Sequence, residues 1–181
     1  MTNSADNDIL TLLHSADRQR EGFVLLMERY REPLYWHIRR LVVSHEDAED
    51  VLQESFINIY RYIDKFRGDS SLKTWLYRVA TNEAIRHNKR KRGFIFSYDD
   101  AGHLVELFES EEGVDFDSLE AKLQRAILEL PTKQRVTFTL RYFEEMSYEE
   151  ISEVTGQSVG TLKTNYHYAA AKIKEQVMSG S

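Results

Sequence analysis

Asp47, Asp50 and Glu54 fall at spacings that set three carboxylates along one face of a helix. Such a face could hold Mg²⁺ for a hydrolase, but hard cations draw further oxygen ligands from elsewhere in a chain. No His-plus-carboxylate motif accompanies them, and His14, His37, His45, His87, His103 and His167 are scattered. There is no cysteine, which removes disulfides, thiolate nucleophiles and thiolate metal sites. The residues therefore argue against an enzyme and call for no metal, no cofactor and no small-molecule substrate. Two other groups carry more information. Arg86, Lys89, Arg90, Lys91 and Arg92 form a basic run in a chain of formal net charge −6. A helix C-terminus favours a cation or two; five suit a phosphate backbone. Further on, Gly160, Thr161, Lys163, Thr164, Asn165, His167 and Tyr168 make a stretch with no acid before Glu175. Hydrogen-bonding and cationic side chains free of carboxylates are what a helix needs to lie against phosphates and read base edges. Asn165 has the chemistry to pair bidentately with adenine, and Lys163 to meet guanine or phosphate.

The elements that must hold these groups are all helical by pattern. Ser147-Tyr148-Glu149-Glu150 is a complete capping box, and the short helix it starts presents Ile151 and Val154 on one face. Gly156 suits a left-handed residue that ends that helix. Ser158 is a natural cap for the next one, whose buried face is Val159, Leu162 and Tyr166. A short capped helix, a glycine turn and a second helix make helix-turn-helix grammar. Glu149, Glu150 and Glu153 on the first helix are expected to point away from DNA.

Upstream, Phe23, Met27, Tyr30, Leu34 and Ile38 recur at helical spacing, with a bend expected near Pro33. Ser44 caps a helix burying Val51, Leu52, Phe56, Ile59 and Ile63. A loop from Phe66 to Ser71 leads to a third helix through Leu76, Val79 and Ile85 into the basic run; Trp75 beside Leu76 reads as core. Between Gly93 and Ser118 eight acids occur without a Lys or Arg, the composition of a mobile connector. Its apolar residues, among them Phe94, Ile95, Phe96, Leu104, Val105 and Phe108, must dock either on the protein itself or on a partner. The expected fold is all-α: two small helical domains, an N-terminal bundle over 1–93 and a C-terminal four-helix domain with the helix-turn-helix over 118–181, joined by a flexible acidic linker over 94–117. Met1 to Asp8 is not a secretory signal and no apolar run reaches bilayer length, so a cytoplasmic location is expected.

Three separated segments resemble the extracytoplasmic-function (ECF) group of sigma-70 family RNA polymerase sigma factors. Ala48-Glu49-Asp50-Val51-Leu52-Gln53-Glu54-Ser55-Phe56 is similar to the family's AEDxxQExF helix. Phe66-Arg67-Gly68-Asp69 with Thr74-Trp75-Leu76-Tyr77-Arg78-Val79-Ala80 and Asn82 resembles its FRG…TWLYRIAxN segment. Leu130-Pro131, Arg135, Leu140-Arg141, Ser147 to Ile151 and Ser158 to Lys163 resemble its second DNA-binding domain. The likeness implies promoter-specific transcription initiation. The N-terminal domain would bind the beta-prime clamp helices of core RNA polymerase through Asp47, Asp50, Gln53 and Glu54. It would grip the melted −10 element through Arg67, Gly68, Asp69, Ser70, Ser71, Leu72, Asn82, Arg86, Lys89 and Arg90. The C-terminal domain, beside the beta flap, would read the −35 element through Ser158, Gly160, Thr161, Lys163, Thr164, Asn165, His167 and Tyr168. An anti-sigma factor, often membrane-anchored in this group, is the expected regulator. The sequence departs from the family where Asn165, His167 and Tyr168 replace the usual arginines and aromatic, and where Ser152 replaces a small alanine. A conventional helix-turn-helix regulator would account for the C-terminus but not for the AEDxxQExF helix or the basic run.

Overall fold

The computed structural model describes residues 3–92 and 101–180. All regular structure among them is helical: α1 (Ser4–Leu13), α2 (Gln19–Leu41), α3 (His45–Tyr62), α4 (Leu72–Arg92), α5 (Ala101–Glu109), α6 (Leu119–Leu128), α7 (Thr132–Tyr142), α8 (Tyr148–Thr155) and α9 (Val159–Ser179), with a 3-10 turn at Ile63–Lys65. Helix α1 starts well before Ile9, where the periodic pattern begins. Its polar first turn is helical because Asp6 is buried: the Tyr30 hydroxyl donates to its carboxylate at 2.9 Å, and Arg29 pairs with it at 3.0 Å. Helix α2 runs through Pro33 without interruption. Ser44 and Ser71 cap α3 and α4, each hydroxyl accepting a backbone N–H three residues on, from Asp47 and Thr74.

Leu26, Leu34, Ile38, Ile59, Leu76 and Ala80 form the centre of the N-terminal bundle. That core does not stop at the bundle. Val136, Leu140, Met146, Ile151, Val154 and Leu162 from the C-terminal helices belong to the same cluster. Helix α2 packs on α6 and α7, and α4 packs on α8.

The acidic connector contains a folded element that its composition does not announce. Helix α5 buries Leu104, Val105 and Phe108 against Val43, Ala121 and Leu128. These apolar residues therefore dock on the protein itself. Phe94, Ile95 and Phe96 lie outside the described residues.

Candidate nucleic-acid interface

The helix-turn-helix is built as its sequence dictates. Ser147 accepts from the Glu150 N–H at 3.1 Å while the Glu150 carboxylate accepts from the Ser147 N–H at 2.8 Å, closing the capping box. Gly156 sits at φ +73, a left-handed conformation that a β-carbon would strain. The Ser152 hydroxyl donates to the Gln157 carbonyl at 2.6 Å and locks the turn, so the serine that replaces the family's alanine adds a bond there. Ser158 caps α9 through the Thr161 N–H. Ile151, Val154, Leu162 and Ala169 are buried, and Ser158, Gly160, Thr161, Lys163, Thr164, His167 and Tyr168 are exposed.

Asn165 differs from the rest. It is half-buried, and its side-chain amide donates to Gln157 Oε1 at 2.9 Å. It braces α9 to the turn, while its neighbours form the exposed face of the helix. Behind that face an aromatic series stiffens the domain: Phe138 stacks on Tyr142 and Tyr166, and Tyr148 meets Tyr166 edge-on. Arg141 lies over the Tyr148 ring at 4.7 Å and Lys163 approaches the same ring at 5.9 Å. Arg135, fully buried, donates to the Leu130 carbonyl at 2.9 Å and so satisfies backbone just beyond the end of α6.

In the N-terminal domain Arg67, Gly68 and Asp69 are exposed in the loop before α4, and Ser70 and Ser71 are half-buried. Leu72 is not available to DNA: it opens α4 fully buried in the core. Asn82, Lys89 and Arg90 are exposed along α4, while Arg86 is exposed but paired with Glu83. Trp75 is half-buried against Phe66, with ring centroids 5.4 Å apart, as its core reading requires. The side chain of Arg92 lies outside the described residues.

The four residues expected to face polymerase separate into two kinds. Asp50, Gln53 and Glu54 are exposed on α3. Asp47, one turn earlier, is buried and bound to α4, with His87 Nε2 at 3.0 Å and Lys91 Nζ at 2.8 Å. Burial alone would raise its pKa, but the bonds from His87 and Lys91 outweigh it and hold the carboxyl below the usual carboxylate range. Asp47 is a cross-brace, and the three-carboxylate array that could have held a metal does not converge. Among the described residues no three His, Asp or Glu side chains gather as ligands.

Sequence reading passed over what adjoins Asp50 and Gln53. Phe23, Met27, Leu52, Phe56, Ile57 and Tyr60 line an apolar groove of about 560 Å³ between α2 and α3, with Arg31 paired to Glu49 at its edge. Ile57 and Tyr60 are 43% and 53% exposed. Their spacing on α3 was visible in sequence, but it continued the core stripe and carried no mark of exposure.

Known proteins share this pair of domains. Residues 26–94 match the family model "Sigma-70 region 2" and residues 120–173 match "Sigma-70, region 4". The chain is 34% identical to the RNA polymerase sigma-H factor of Pseudomonas aeruginosa over 96% of its own length and 94% of that protein's. It is 32% identical to the ECF RNA polymerase sigma factor SigW of Bacillus subtilis, over 87% of this chain and 90% of that one. Among solved structures, CnrH in complex with the cytosolic domain of CnrY matches with TM-score 0.71 and 22% identity, covering 98% of this chain and all of that one. The sigma factor RpoE of Bartonella quintana, solved with the anti-sigma factor NepR, matches with TM-score 0.68 and 23% identity over 87% of this chain and 98% of that one. The chain thus belongs to the ECF group of the sigma-70 family of RNA polymerase sigma factors. It directs transcription initiation and is not an enzyme.

Proposed function

We propose that the two halves divide initiation between them. The N-terminal domain binds the clamp helices of core polymerase through the α2–α3 groove, bordered by Asp50, Gln53 and Glu54. It holds the melted −10 strand with Arg67, Gly68, Asp69, Ser70 and Ser71, and with Asn82, Arg86, Lys89 and Arg90 along α4. An extruded base needs hydrogen-bonding groups, and its backbone needs cations; that loop and helix supply both. The C-terminal domain, seated near the beta flap, reads the −35 element with Ser158, Gly160, Thr161, Lys163, Thr164, His167 and Tyr168. One observation carries this reading: an exposed α9 face without a carboxylate, on a rigid helix-turn-helix, in a chain of net negative charge. Among the described residues no helix is long and apolar enough to cross a membrane, which supports work in the cytoplasm. The relation to CnrH and to RpoE of Bartonella quintana, both solved with a bound partner, supports control by an anti-sigma factor.

The test is transcription in vitro with purified core polymerase from a related bacterium, sequencing transcript ends on genomic DNA. Discrete starts that appear only with this protein support the reading. Lys163→Ala should lower promoter-specific starts by about tenfold, one good base or phosphate contact, with core binding unchanged. Asp50→Ala or Gln53→Ala should weaken core binding with the fold intact. Core polymerase that neither binds the protein nor gains specificity would overturn the proposal in favour of a simple DNA-binding regulator.

A further inference from the structure

Gln157, the residue before the Ser158 cap of α9, is held by backbone and side chain alike. Its carbonyl accepts from the Ser152 hydroxyl at 2.6 Å, and its N–H donates to Thr155 Oγ1 at 3.3 Å. Its Oε1 accepts from Asn165 Nδ2 at 2.9 Å. That last bond spans about two turns of α9, so the glutamine side chain lies back along the helix. Asn165 follows Thr161 by one helical turn and precedes Tyr168 by another, which sets the three on one strip. Thr161 and Tyr168 are exposed, while Gln157 and Asn165 are half-buried, so the two amides stand at the edge of the exposed face. Gln157 also adjoins the N-terminal end of α9, the end from which helix-turn-helix proteins reach base edges in the major groove. No carboxylate interrupts the strip of Gln157, Ser158, Thr161, Asn165 and Tyr168.

A primary amide carries an NH₂ donor group and a carbonyl acceptor. The mutual bond engages the NH₂ of Asn165 and the carbonyl of Gln157. Gln157 Nε2 and Asn165 Oδ1 have no hydrogen-bond partner among the described residues, and neither is sealed from solvent. Together they offer one donor and one acceptor, and reversing both amides leaves the same set. Adenine presents the complement in the major groove, N7 as acceptor and N6–H as donor. Guanine presents two acceptors, N7 and O6, and would set one of them against the amide carbonyl. A lone glutamine loses rotamer freedom when it binds; this one is ordered beforehand by Asn165.

We propose that Gln157 and Asn165 form a composite amide reader that selects adenine over guanine at one position of the −35 element, which rests on the role of α9 proposed above. Gln157 is thereby a specificity-determining residue. Asn165 positions it and supplies the acceptor half. One good bidentate contact of this kind discriminates by about tenfold.

The test uses holoenzyme assembled from the full chain and core polymerase of a related bacterium. It transcribes a template library randomised upstream of the start, each transcript barcoded to its template. With the parent chain, one −35 position should favour adenine over guanine by about tenfold. Gln157→Ala and Asn165→Ala should each bring that ratio close to one at the same position, with preferences elsewhere in the element kept. The double variant should go no further, because the two amides act as a unit. The exchange Gln157→Asn with Asn165→Gln keeps both amides and their summed length, and should restore the adenine preference. A bracing role alone would lower transcription evenly across the library and leave the adenine ratio where it was; that result overturns the proposal. So do a parent with no adenine-preferring position, single variants that act at different positions, and an exchange that stays neutral. A parent holoenzyme with no discrete starts overturns the −35 function itself and the amide reader with it. Discrete starts with an adenine ratio that the variants do not move overturn the reader alone.

Discussion

At the residue scale the most consequential side chains are those the fold has withdrawn from solvent. His37 is fully buried, its Nε2 2.8 Å from the Thr81 hydroxyl and its ring against Tyr77. Burial, helped by the nearby Arg40 charge, pushes its pKa down to about 3. The unfolded chain protonates this imidazole near its ordinary value of about 6.5, whereas the folded chain refuses the proton until about pH 3. Its contribution to stability is therefore full above pH 6.5 and is lost as pH falls across that window, at up to ~1.4 kcal/mol per pH unit. Urea unfolding of His37→Gln from pH 7 to pH 4 should show a shallower decline than the parent; parallel curves would contradict the assignment. Tyr30 works at the opposite end of the scale. Burial first, then its bond to the Asp6 carboxylate, pushes the phenol up to about 12. A raised pKa stabilises the fold below about pH 10 and ceases to as pH climbs toward 12.

Residues also mark where reading a sequence stops. Asp47 and Asp50 are one helical turn apart and identical in type, yet one is buried against α4 and the other faces water. A helix face is wide enough for both outcomes, and only the position of α4 decides between them. Leu72 differs from its expected exposure for a related reason: a loop's last residue looks exposed until a neighbouring element covers it.

At the element scale, caps and turns were legible because each is a local bargain between a side chain and the next few backbone groups. Ser44, Ser71, Ser147, Gly156 and Ser158 all do what their types predict. Helix α5 was not legible, since its apolar stripe of Leu104, Val105 and Phe108 was diluted by surrounding acids and is stabilised by Val43 and Leu128, far from it in sequence. Tertiary burial outweighs composition there. Helix crossing distances are equally hidden. Helices α1 and α2 approach so closely at Gly22 that an added β-carbon would lie 2.8 Å from the Leu13 backbone nitrogen. Because that neighbour is backbone, Gly22→Ala should destabilise the protein by about 1–3 kcal/mol despite the better helix propensity of alanine. Denaturant unfolding that is unchanged or more stable would show that α1 simply lifts away.

At the scale of the whole molecule, a continuous core makes two recognisable domains one cooperative unit. The sequence separates them cleanly, by motif and by acidic connector, and gives no sign that Ile151 and Val154 pack with Leu76 and Ala80. Both tryptophans lie in the N-terminal half; Trp36 borders a pocket shared with Ile127 and Phe143, so in a Trp36→Phe background the fluorescence of Trp75, packed on Phe66, reports on that half alone. Ile151→Ala, in the C-terminal half, should remove about 2–5 kcal/mol and lower the transition seen by tryptophan fluorescence together with that seen by far-UV circular dichroism. A fluorescence transition that stays in place while the dichroism shifts would mean that the halves unfold separately.

The brace formed by Asp47 has a consequence for counterions. Lys91 is already neutralised by that carboxylate and Arg86 by Glu83, so the basic end of α4 displaces fewer salt ions from a nucleic acid than its sequence advertises. Lys89 and Arg90 have no ion-pair partner among the described residues. For a single strand each neutralised phosphate contributes about 0.7 to the slope of log affinity against log salt. Among Arg86, Lys89, Arg90 and Lys91, the share should be about 1.4 for two free cations rather than about 2.8 for four. Replacing Asp47 with Asn should steepen it, because a lysine released from its partner becomes one more charge for the strand to recruit.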